Sequence, residues 1–188
     1  MAYEIIQPPF TLKFREMSKP ELKAYKEWFF EVLPKRIAGL EEEVRRTPAF
    51  EDWRTDHSPS SLDALGQWLE GQVQVRAKTE QEIDDLKAKL VFPIEVSGEQ
   101  LTNRTFSLAM DIGMYFGQVV LKNISGTKWD QPLKNTKFVD YGQPVIMGFG
   151  SVPMNPVRLA VTTAYAISKK KPAGLGSLYE TWVKMKRG

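Results

Sequence analysis

The chain has no cysteine among its 188 residues and only one histidine, His57. Disulfides, thiolate nucleophiles and zinc–thiolate sites are thereby excluded, and so is a histidine-rich metal centre. A Ser-His-Asp triad would have to use His57, which stands beside Asp56 in a Ser/Pro-rich loop and reads as a surface histidine. Gly-x-Ser-x-Gly and Gly-x-x-x-x-Gly-Lys-Ser/Thr do not occur, and Gly148-Phe-Gly150 lacks the third glycine of a dinucleotide loop. No run approaches the roughly 18 apolar residues that cross a bilayer. The N-terminal residues lack a basic segment followed by an apolar run, so no secretory signal is expected. These absences predict a cytoplasmic protein with no cofactor, no metal, no membrane partner and no familiar catalytic constellation.

Acid is scarce in the second half. Residues 1–100 carry 14 Lys+Arg against 19 Asp+Glu, whereas residues 101–188 carry 12 against 4. Such asymmetry points either to halves that attract each other or to a charged partner. The hydrophobic fraction of 42% and charged fraction of 26% are those of a globular protein, and the length fits one domain.

The pattern predicts a single α+β domain over 1–188, with a mainly helical part (1–100) and a helix-plus-sheet part (101–188). Residues 10, 12 and 14 alternate as in a short strand or extended arm. Ser18-Lys-Pro-Glu21 is a capping box for a helix bearing Leu22, Tyr25, Phe29 and Leu33, which Pro34 should kink or break before a second piece through Ile37, Leu40 and Val44. Further helix starts fall at Ser60, at the Thr79–Glu82 capping box and at Asn155-Pro156. Residues 91–96 read as a short extended piece. From Asn103 a helix is apolar nearly all round and should be central and buried. Phe138–Tyr141 and Val145–Phe149 read as two strands about a turn at residues 142–144, and residues 175–185 as a last amphipathic helix.

Asp111, Tyr115 and Gln118 fall on one face of the central helix at intervals of four and three. An ionised carboxylate there is costly unless paired. With Trp129, Asp140 and Tyr141 they make a candidate polar cleft, and an enzyme would use Asp111, Tyr115 and Asp140. The alternative is structural, with Asp111 held by backbone N–H groups or by Arg104 or Arg158. Lys169–Lys171, Lys184, Lys186 and Arg187 offer a basic surface for nucleic acid, with Trp129 and Phe138 available to stack. Glu41, Glu42, Glu43, Glu51 and Asp52 offer an acidic surface for a basic protein, with Trp53 as an aromatic anchor.

Residues 105–117 (Thr-Phe-Ser-Leu-Ala-Met-Asp-Ile-Gly-Met-Tyr-Phe-Gly), then Lys128-Trp129 and Val139-Asp-Tyr-Gly-Gln-Pro-Val145, resemble a pattern in small bacterial proteins of unassigned function. In these an Asp-x-Gly-x-Tyr-x-Gly-Glu helix precedes a tryptophan and a short sheet, and some are similar to immunity proteins encoded beside polymorphic toxins. The likeness spans roughly residues 103–160. Gln118 stands where that pattern often has Glu, which argues against acid chemistry at this position. The resemblance implies a non-catalytic inhibitor that occludes a toxin or enzyme partner.

Overall fold

A computed structural model describes residues 3–90 and 95–187. Helix α1 (Lys19–Arg45) starts at the expected capping box: Ser18 Oγ accepts from the Glu21 N–H, and Glu21 Oε2 accepts from the Ser18 N–H at 2.7 Å. It is not broken at Pro34. The proline lies on the exposed face, while Leu33 and Ile37 on either side are buried, so core packing carries the helix across the lost hydrogen bond.

Helix α2 (Ser61–Gln72) buries Leu62, Leu65, Trp68 and Leu69. A two-stranded ribbon follows, β1 (Val75–Ala77) antiparallel to β2 (Glu99–Leu101), with Arg76 opposite Gln100. Between its strands lies α3 (Glu80–Ala88), opened by the Thr79–Glu82 capping box. The sequence pattern does not announce this ribbon, since its strands are only three residues long. Glu95 and Val96 aside, the extended piece expected at 91–96 lies outside the described residues.

Helix α4 (Asn103–Asn123) is the central helix, buried from Thr105 to Gly117 at all but Phe106. It packs chiefly on α5 (Pro156–Ser168) and then on α1, while α6 (Leu175–Arg187) closes against α2. A second antiparallel pair joins β3 (Lys128–Asp130) to β4 (Val145–Met147), with Trp129 opposite Ile146. The expected strand at Phe138–Tyr141 is instead a series of turns: the N–H groups of Phe138 and Tyr141 donate to Asn135 and Phe138 carbonyls. Val139 is 54% exposed while Asp140 is buried, the reverse of an apolar strand face, and the Trp129 segment takes its place beside β4. The architecture is thus a helix-rich first half, a buried central helix, a small antiparallel sheet and two closing helices.

Candidate functional site

Asp111 sits on α4 with no exposed surface, and its partner is Arg36 of α1. Arg36 Nε donates to Oδ1 at 2.8 Å and Nη2 to Oδ2 at 2.7 Å, the two-pronged geometry that a planar guanidinium favours. The N-terminal arm closes the pair. Tyr3 Oη donates to Asp111 Oδ2, Arg36 Nη1 donates to the Glu4 carbonyl at 2.8 Å, and the Ile6 N–H donates to Ser107 Oγ at 2.8 Å. Ser107 Oγ also lies 2.8 Å from Tyr3 Oη, and the guanidinium carbons of Arg36 and Arg104 stand 5.3 and 5.7 Å from the Tyr3 ring centroid.

Burial raises the Asp111 carboxyl to about 6, with the hydrogen bonds and charge of Arg36 and the Tyr3 hydroxyl working against it. Burial, then Asp111, drive the Tyr3 phenol upward, so it stays a donor. Desolvation works against the Arg36 charge, but Asp111 and Tyr3 together more than offset it. Three hydrogen bonds from within hold the carboxylate, one to Oδ1 and two to Oδ2, on a side chain with no exposed surface.

A pH dependence follows. With its pKa raised by folding, Asp111 binds its proton more tightly in the native state than in the unfolded chain. Its contribution to stability is fullest below the usual carboxylate range and is lost as pH rises through about 6. Raising the carboxyl to about 6 corresponds to about 3 kcal/mol at most. Urea midpoints measured from pH 5 to 7.5 should fall for the wild type and flatten in Asp111→Asn; parallel slopes would contradict this assignment. Glu82, lowered to about 2 first by its hydrogen bond from Arg76, titrates below that window.

The residues expected to form one cleft with Asp111 do not meet it. Tyr115 Oη lies 2.7 Å from Ser61 Oγ and accepts from the His57 N–H at 3.1 Å, with its ring against Trp53 and His57. Asp140 accepts from Asn155 Nδ2 and Arg158 Nη2, both at 2.9 Å, tying the turn before β4 to the N-terminus of α5. Tyr141 is buried. Gln118 is half-buried. Trp129 packs edge-on against both Phe29 and Phe30 and covers Gly117, its Nε1 buried without a hydrogen-bond partner among the described residues. The partners suggested for Asp111 from sequence are also replaced: Arg104 turns to Glu43 at 2.7 Å and Arg158 to Asp140.

The acidic surface is largely occupied too. Glu41 Oε2 accepts from the Thr55 N–H and hydroxyl at 2.7 and 2.6 Å, Glu42 pairs with Arg46, and Glu43 with Arg46 and Arg104. Glu51 and Asp52 are exposed. Trp53 is not the exposed anchor expected: it is buried, and its Nε1 donates to the Ser61 carbonyl at 3.0 Å. Lys169–Lys171 and Lys184 are exposed, while Lys186 Nζ donates to the Gly148 carbonyl at 2.7 Å.

Arg36 was legible but overlooked. It falls three residues after Leu33 and four before Leu40, on the apolar face of α1, and an arginine there implies a buried acid.

The surface feature that stands apart is α3. None of its residues is buried, and none of its side chains joins or packs on the core cluster. Leu86 is 39% exposed, and Leu90, just beyond the helix, 40%. Glu80 and Asp84 have no ion-pair partner among the described residues. No described helix is long and apolar enough to cross a membrane, and no group of three His, Asp or Glu that could hold a metal occurs among the described residues. Comparison with protein-family models, curated proteins and solved structures finds no match.

Proposed function

We propose that this chain is a non-catalytic, cytoplasmic protein-binding protein, an immunity-type inhibitor that captures a basic toxin or enzyme and covers its active site. The observation that carries this reading is α3. A nine-residue helix is marginal in water by itself, and α3 gains nothing from the core. Its capping box and the Arg76–Glu82 pair at 2.6 Å hold it in shape, presenting Ile83 and Leu86 one turn apart with Leu90 beyond them. The helix carries Glu80, Glu82, Asp84 and Asp85 against Lys87, so it is net acidic, with Glu80 and Lys87 the neighbours of Ile83 one turn away on either side. Apolar side chains on a net acidic helix suit a basic partner, with charge speeding encounter and the apolar contact holding the complex. The engagement of Asp111 by Arg36 and the Tyr3 hydroxyl supports the non-catalytic part of the reading.

Affinity purification from the native host tests it. Wild type should recover one basic protein in stoichiometric amount, and Leu86→Asp should lose it, because truncating or charging a central apolar anchor typically weakens a complex by more than about tenfold. Recovery of no protein, or of nucleic acid removed by nuclease, contradicts the reading. So does a partner that binds Leu86→Asp undiminished.

A further inference from the structure

The arm from residue 3 to residue 10 is held differently from the rest of the fold. No backbone–backbone hydrogen bond ties residues 3–12 to the other described residues. Side chains fasten the arm at separate points instead. Tyr3 Oη donates to Asp111, Arg36 Nη1 donates to the Glu4 carbonyl at 2.8 Å, the Ile6 N–H donates to Ser107 Oγ at 2.8 Å, and Glu4 pairs with Lys35 at 3.0 Å. At the far end Phe10 lies edge-on to Tyr25 and Trp28, with ring centroids 5.5 and 5.9 Å apart. All these partners belong to α1 and α4. Packing along the arm is incomplete: Tyr3 and Glu4 border a cavity of about 250 Å³, and residues 5–8 border another of about 570 Å³ beside α4 and α5.

A short connection joins the arm to α1. Phe10 and Phe14 both pack on Tyr25, and Thr11, Leu12 and Lys13 between them are exposed. Leu12 has a φ of 56°, the left-handed region that is costly for any residue with a bulky side chain. On its far side the chain is already fixed, since the Lys13 carbonyl accepts from the Glu16 and Met17 N–H groups ahead of α1. The strained residue is therefore the link that keeps arm and seat in one chain. Opened to an extended φ, Leu12 loses its strain and directs the arm away from its own seat. Short connections under strain favour exchange of the attached element between copies, because every other contact is kept.

We infer that residues 3–10 exchange between two copies of this chain in a twofold dimer, the Tyr3 hydroxyl of one copy closing Asp111 of the other. Each seat receives the same hydrogen bonds, ion pair and ring contacts as within a single chain. The balance is thus set by relief at two hinges against the entropy lost on association. Because the exchange is reciprocal, both seats are filled and the assembly closes. No exchanged contact involves α3, so exchange and partner capture fail independently.

Glu4 and Lys35 supply the readout. Both side chains are mostly exposed and their charged atoms are in contact, so a carbodiimide joins them by an amide without a spacer. Ordinary and isotopically heavy chains are mixed in urea and refolded together over roughly a hundredfold range of concentration. Mass spectrometry of the Glu4–Lys35 cross-linked peptides then shows whether arm and seat come from one chain. The expected result is light–heavy cross-links that rise with concentration toward about half of the total, with a reversible shift in sedimentation from 21.5 kDa to twice that mass. Two changes at the hinge leave every seat contact intact. Leu12→Gly accepts the positive φ without strain and should weaken dimerisation by more than about tenfold, whereas Leu12→Pro forbids that φ and should strengthen it by more than about tenfold. Cross-links that are wholly light–light and heavy–heavy at every concentration overturn the exchange. So does a dimer without mixed cross-links, or folded Leu12 variants that shift association in the same direction.

Discussion

Replacing Arg36 by alanine is expected to destabilise the fold by about 3–5 kcal/mol, the usual cost of removing one member of a buried ion pair. The magnitude rests on what is stranded. Asp111 has no exposed surface, and Arg36 supplies two of its hydrogen bonds while also holding the Glu4 carbonyl and lying 3.1 Å from Ser107 Oγ. The variant leaves a carboxylate that must take up a proton or remain uncompensated. Asp111→Ala should cost a similar amount, and the double variant clearly less than the sum, because each single change leaves the other charge unpaired. Chemical denaturation measures all three. A loss below about 1 kcal/mol for Arg36→Ala would put the pair among weak surface bridges and contradict its role as the clasp between α1, α4 and the arm.

Gly113→Ala should be the second severe change. A Cβ at this position would lie 2.5 Å from the Val157 Cα and 2.8 Å from the Pro156 carbonyl oxygen. Those are backbone atoms at the start of α5, so no side-chain rotation relieves the clash, and α5 has to move from its main packing partner. Overpacking of this kind costs about 1–3 kcal/mol even after the better helix propensity of alanine is counted. For a chain of this length that lowers Tm by roughly 3–10 °C. Gly39→Ala in α1 is the control: nothing lies within 4 Å of its added Cβ, so propensity alone should stabilise it by about 0.5–1 kcal/mol. Equal effects at the two sites would show that the α4–α5 contact is less close than described.

Local signals carried much of the fold. Ser18 with Glu21, Thr79 with Glu82, and Asn155 before Pro156 each start a helix at the position their side chains imply, since the capping bonds are made within three residues. The all-round apolarity of α4 announced its burial. What could not be read locally was settled by distant partners. Pro34 is tolerated because Leu33 and Ile37 are packed, and Phe138–Tyr141 gives up strand geometry because Asp140 reaches Asn155 and Arg158. The polar stripe of α4 was visible as spacing, but each of its groups faces a different neighbour: Asp111 meets Arg36 and the arm, and Tyr115 meets Ser61 and the His57 backbone. Shared position on a helix therefore did not make a shared site. Of the acidic run, Glu41 and Glu43 reach Thr55 and Arg104, while Glu42 pairs with Arg46 at the surface.

That division, a closed Asp111 cluster and an open α3, is tested most directly by parallel capture from the native host with Tyr3→Phe and Leu86→Asp. Tyr3→Phe removes the hydroxyl that closes Asp111 and touches nothing on α3. The account predicts that Tyr3→Phe retains the partner and Leu86→Asp loses it. Loss with Tyr3→Phe and full retention with Leu86→Asp would contradict it and return function to the Asp111 cluster.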